Sequence, residues 1–135
     1  MKTIVVGYDE TDGAKRALER AAELGAAFNA KLIVMSVARR AVALRSGPID
    51  PTDPPELHKE ELEHAAAFLA DRGLEGEYEL ALGDPASEIV KLAEDRDADL
   101  IVVGTREPNL VARLLGQSVS GAVERKAHRD VLIVH

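Results

Sequence analysis

Short apolar blocks alternate along this chain with longer stretches in which apolar residues recur every three or four positions. The blocks fit strands buried on both faces, and the recurring positions fit amphipathic helices. Their alternation predicts βαβ units around a parallel sheet. Thr3 to Gly7 is the first strand, apolar on both faces and therefore central. Thr11 suits the N-cap of a helix with Ala14, Ala17, Leu18, Ala21 and Leu24 on one face, ending at Gly25 or the turn after it. Lys31 to Val37 is the second strand. Glu56 to Arg72 is a second helix, with Leu62, Ala65, Ala66 and Leu69 inside, Lys59, Glu60, Glu61 and Glu63 outside, and Gly73 closing it. Glu77 to Leu82 alternates polar and apolar residues, as an edge strand with one wet face does, and its two glutamates discourage strand addition. Asp84 and Pro85 open a third helix that stops before Asp97. Leu100 to Val103 is the fourth strand, Val119 to Ala127 a short helix, and Val131 to Val134 the last strand.

These elements predict an open five-stranded parallel sheet in the order 3-2-1-4-5 with helices on both faces. The apolar first and fourth strands flank the point where the strand order reverses. At 135 residues the chain is expected to form one domain, residues 1–135. Within it, residues 39–55 carry Gly47 and four prolines and have the composition of a mobile surface loop. That loop follows strand two and so overhangs the ligand-binding end of the sheet. Arg39, Arg40 and Arg45 give it local positive charge for phosphates or a partner, or simply for solvent.

Composition narrows the function classes. Apolar residues make up 46% and aromatics 3%, so Ala, Val, Leu and Ile must fill the core. No cysteine is present, which excludes disulfides and thiol chemistry. There is no apolar run of at least about 18 residues, and Met1 leads straight into a strand; neither a membrane span nor a signal peptide is expected, and a cytoplasmic location follows. A net charge of −7 argues against nucleic acid and anionic membranes as partners. His58 and His64 lie six residues apart on one helix, hence on different faces, and do not form a metal pair.

The candidate chemistry lies where the fourth strand ends. Gly104 to Val119 joins that strand to a helix through a loop containing Gly104, Arg106, Gly116, Gln117 and Ser118. Unpaired amides and the dipole of a helix N-terminus favour an anion there, Gly104 permits close backbone approach, and Ser118 offers a hydroxyl. Gly104 and Ser118 equally suit an ordinary βα turn, one ending the strand and the other capping the helix. Asp9, just past strand one, is placed for a ligand or as a turn residue.

The segment Gly104 to Val119 resembles the nucleotide loop of the universal stress protein family, whose ATP-binding members carry G-x2-G-x9-G-[ST]. The resemblance covers essentially the whole chain. It includes Ile4-Val5-Val6-Gly7-Tyr8-Asp9, Gly83-Asp84-Pro85, Asp99 to Arg106, and Val131-Leu132-Ile133-Val134. It implies a UspA-like domain with the Rossmann-like fold of the adenine nucleotide alpha hydrolases. It also implies adenosine beside Asp9, an adenine pocket lined by Val37, and phosphates at Gly104, Arg106, Gly116, Gln117, Ser118 and Val119. Val37 also fits plain core. The motif is altered: Glu107 stands at the second glycine position and Gln117 at the third, with Gly116 one residue early. A carboxylate near a triphosphate is repulsive, so ATP binding is expected to be weak or lost while a small anion pocket persists.

No P-loop or Gly-x-Gly-x-x-Gly occurs, and Gly116-Gln117-Ser118-Val119-Ser120 lacks the closing glycine of a nucleophile elbow. His128 lies a helix length, about 14 Å, from Ser118, too far to act as its base. The expectation is therefore a binding or regulatory protein of the stress response. The alternative is a functional ATP- or AMP-binding stress protein with at most slow ATP hydrolysis. No metal is expected beyond Mg accompanying a nucleotide. The apolar last strand, with no sequence after His135 to cover it, invites pairing with another chain. In the family the terminal strands of two subunits meet antiparallel, so the resemblance implies a homodimer through Val131 to Val134. A further, unidentified protein partner could engage the loop.

Overall fold

The computed structural model describes residues 1–39, 54–105 and 119–135. Their elements run β1 (Thr3–Gly7), α1 (Asp12–Phe28), β2 (Lys31–Ala38), α2 (Pro55–Asp71), β3 (Gly76–Leu82), α3 (Pro85–Asp95), β4 (Leu100–Gly104), α4 (Val119–Lys126) and β5 (Asp130–Val134). The strands form one parallel sheet in the order β3-β2-β1-β4-β5, as the sequence predicts. Among the described residues no helix is long and apolar enough to cross a membrane.

Successive strand residues point to opposite faces, which divides the core into two layers. Ile4, Val6, Leu32, Val34, Leu100 and Val102 pack under α1 and α2, which contribute Ala17, Leu18, Ala21, Leu62, Ala65 and Leu69. Val5, Ile33, Met35, Val37, Ile101 and Val103 pack under α3 and α4, through Ala86, Ile89, Val90, Ala93 and Val123. The small alanine faces compensate for the scarcity of aromatics by letting the helices lie close to the sheet.

Local chemistry sets the helix ends. Thr11 caps α1 by accepting the Ala14 N–H at 3.2 Å, and Asp84 caps α3 by accepting the Ser87 N–H at 3.0 Å. α1 does not stop at Gly25 but continues to Phe28 and ends at Asn29, whose φ of 53° is left-handed. Gly25 is needed for packing, since a methyl group there would lie 3.1 Å from the Leu32 side chain. α2 begins at Pro55, where a missing N–H costs nothing, one residue inside the stretch expected to be loop. It closes with Gly73 at φ 72° and a Leu74 N–H bond to the Leu69 carbonyl. Residues 40–53 lie outside the described residues.

The tightest constraint joins α1 to β4. A methyl group on Gly104 would fall inside contact distance of the Gly13 carbonyl and 2.7 Å from the Ala14 nitrogen; one on Gly13 would strike the Thr105 carbonyl oxygen. These neighbours are backbone atoms and cannot rotate away. Gly104→Ala should therefore destabilise by about 3 kcal/mol. Gly73→Ala, with open space around it but a left-handed φ, should cost only about 1 kcal/mol. Urea midpoints at unchanged slope measure both, and equal losses would refute the packing argument.

Candidate functional site

β1 and β4 are neighbours whose connections leave in opposite directions, so a crevice opens between their C-terminal ends. On the β1 side the chain continues through Tyr8, Asp9, Glu10 and Thr11 into α1. Asp9 accepts hydrogen bonds from the Thr11 N–H (3.2 Å) and the Thr11 hydroxyl (2.7 Å), which ties it into the turn and orients the cap. Glu10 holds a left-handed φ of 58°. On the β4 side Gly104 faces Gly13, and the Thr105 N–H donates to the Val134 carbonyl at 2.9 Å. Gly104 thus has a complete packing role.

Of the residues the sequence marks as candidates, Asp9 lies two residues past the end of β1 and Gly104 ends the adjacent strand β4. Val37 is buried and lies in the same apolar layer as Val119, the half-buried first residue of α4. Arg106, Gly116, Gln117 and Ser118, together with Glu107, lie outside the described residues.

A second set of polar residues gathers at this end of the sheet on the α2 face, and the sequence reading missed it. Ser36, His58 and Glu61 are all buried. Ser36 Oγ lies 2.6 Å from His58 Nδ1, its hydroxyl donates to Glu61 Oε2 at 3.3 Å, and Nδ1 lies 3.2 Å from the same Oε2. Hydroxyl and carboxylate meet the same ring nitrogen, whereas a hydrolytic triad places them on opposite nitrogens; with all three groups buried, this is a fastening and not a nucleophile. It ties α2 to β2. Glu61, expected outside, is inside because His58, Glu61, Leu62, Ala65 and Leu69 form one stripe facing the sheet. The available signal was Ser36, a lone polar residue in an otherwise apolar strand block.

The acids of this region act on one another. Burial, with further contributions from Glu10, Glu61 and Asp9, pushes the Tyr8 hydroxyl up to about 12. Burial also raises Glu61 above the ordinary glutamate value, helped by Asp9 and Glu10 and opposed by His58 and the Ser36 hydroxyl. His64, at the surface, contacts Glu10 through Nδ1. The two α2 histidines therefore serve different partners.

A raised carboxyl favours its protonated form in the folded state. Its stabilising contribution is present below the ordinary value of 4.5 and is lost as pH rises through the raised value. As pH rises above 4.5 the urea midpoint of the wild type should fall relative to that of Glu61→Gln, which retains an acceptor for Ser36. Parallel curves would show that Glu61 is not the group responsible.

The profile of the universal stress protein family matches residues 1–135. A universal stress protein of Mycobacterium tuberculosis is 38% identical over 143 residues, which cover 99% of this chain and 96% of the relative. The universal stress protein YxiE of Bacillus subtilis is 31% identical over 97% of each chain. Among solved structures, a universal stress protein in complex with cAMP superposes with a TM-score of 0.75 at 32% identity, covering 99% of this chain and 97% of the other. The Archaeoglobus fulgidus universal stress protein in complex with dAMP gives 0.77 at 28% identity, covering 100% and 98%. With its sheet order, its switch-point crevice and these likenesses in agreement, the chain belongs to the universal stress protein family.

Proposed function

We propose that this protein is a regulatory, nucleotide-responsive member of its family. In this reading the crevice between β1 and β4 takes an adenine nucleotide of low charge, with ATP bound weakly or not at all. Asp9 and Val37 would meet the nucleoside, and Gly104, Arg106, Gly116, Gln117, Ser118 and Val119 the phosphate. The observation that carries the reading is the gathering of Asp9, Glu10 and Glu61 around Tyr8 at the C-terminal end of β1, where their charges add to burial in raising the tyrosine to about 12. Such a field penalises each added phosphate charge. Glu107, in the sequence of the phosphate loop, would add to it if near the phosphates: at an effective dielectric of about 20, two like charges 4 Å apart cost roughly 4 kcal/mol. The complexes of related proteins with cAMP and dAMP support a monophosphate ligand. Catalysis is not part of the proposal, and a metal would enter only as Mg accompanying a nucleotide. A cytoplasmic location belongs to the same reading.

We also infer a homodimer through β5. This strand stands at one edge of the sheet, and Val131 to Val134 are only half-buried, with apolar side chains on both faces. An open apolar edge is a template for a second strand.

Two measurements test these proposals. Calorimetry should show cAMP or AMP binding at least about tenfold tighter than ATP, a difference of about 1.4 kcal/mol, and the Glu107→Gly/Gln117→Gly double variant should gain affinity for ATP. Tight ATP binding by the wild type would overturn the reading. In sedimentation the wild type should run as a dimer, and Val131→Lys/Ile133→Lys, checked as folded by circular dichroism, as a monomer. A monomeric wild type, or a variant that stays dimeric, would place the contact elsewhere.

A further inference from the structure

The turn from Tyr8 to Thr11 is held from outside by α2. His64 reaches across to Glu10, the one residue of that turn in the left-handed region. Six residues earlier His58, with Glu61, fastens the same helix to Ser36 of β2. At the far end of α2 Arg72 lies 3.9 Å from Glu19 of α1. Among the described residues, the contact of α2 on the turn is made by a histidine and so responds to a proton.

We propose that α2 is a proton-controlled latch on the β1–α1 turn: protonated His64 holds Glu10 and, through it, the turn that carries Asp9, and loss of that proton releases the turn. An exposed ion pair is weak. The element it holds is nevertheless short, contains one unfavourable backbone conformation, and crowds Asp9, Glu10 and Glu61 around Tyr8, so a small bias decides its position. The groups acting on His64 are Glu10 across the contact and Glu60 and Glu63 on its own helix; Asp9 and Glu61 face Glu10 from the turn and from beneath. The Glu10 hydrogen bond, and then the charges of Glu10, Glu60 and Glu63, raise His64 above its ordinary 6.5. The latch is therefore complete below 6.5 and opens as pH rises through the raised value.

For the ligand the consequence follows in sign. The closed latch fixes Asp9 and offsets the charge of Glu10, so an anionic nucleotide should bind better at acidic pH. This consequence rests on the proposed nucleotide site, but the latch itself does not, and the two can be tested apart. In the ligand-free full chain, NMR titration should give His64 a midpoint above 6.5, and the backbone amides of Asp9, Glu10 and Thr11 should move with that midpoint. Glu10→Gln should lower the His64 midpoint toward 6.5 and abolish the amide response; His64→Gln should abolish the response as well. Both residues are at the surface, so the variants should fold. An unchanged midpoint in Glu10→Gln, or turn amides that ignore His64, overturns the latch.

The ligand arm uses cAMP, whose phosphodiester keeps one charge through this range, so the probe itself does not titrate. Wild-type affinity should fall severalfold between about pH 6 and pH 8.5, while His64→Gln should bind with the weaker affinity at both. Equal wild-type affinities overturn the coupling to the ligand. If cAMP, AMP and ATP all fail to bind while the turn amides still follow His64, the latch stands and the nucleotide reading falls.

Discussion

The geometry of the crevice depends on one close approach, that of the Gly13 backbone to Gly104. Elsewhere α1 meets the sheet through alanine and leucine side chains, which keep a helix and a sheet a full side-chain layer apart. At its first turn the separation collapses to backbone on backbone, because neither residue has a Cβ. That contact tilts the N-terminus of α1 against the end of β4 and so fixes the distance between the Asp9 turn and the strand end at Gly104. Within the turn, Asp9 accepts from Thr11, Thr11 caps Ala14, and Glu10 takes a left-handed φ, so a few local contacts join the end of β1 to the start of α1.

Most of the fold was legible in the sequence because its signals are short-range. Apolar blocks marked the strands, Thr11, Asp84 and Pro85 marked helix starts, and the switch point followed from which blocks were apolar on both faces. The misreadings came where a residue answers to something distant. Gly25 looked like a helix stop but is a space requirement set by Leu32 on the next strand. Glu61 sits among surface glutamates in the sequence, and only the direction of α2 relative to β2 reveals that it faces Ser36. The packing role of Gly104 also escaped the sequence, because its partner is a glycine ninety-one residues away. Pairings of this kind leave no local period for a sequence reading to detect.

The alternation of β2 assigns different work to the two faces of the sheet. Val37 points into the apolar α3/α4 layer with Val119, while Ser36, its neighbour in the chain, points to the α2 side and meets His58 and Glu61. An apolar layer and a buried polar cluster that fastens a helix are therefore separated by the thickness of one sheet. At the C-terminal end of β1, Asp9 and Glu10 add their charges to the burial that raises Glu61, so the polar cluster on the α2 face and the turn into α1 share one electrostatic environment rather than acting as separate features.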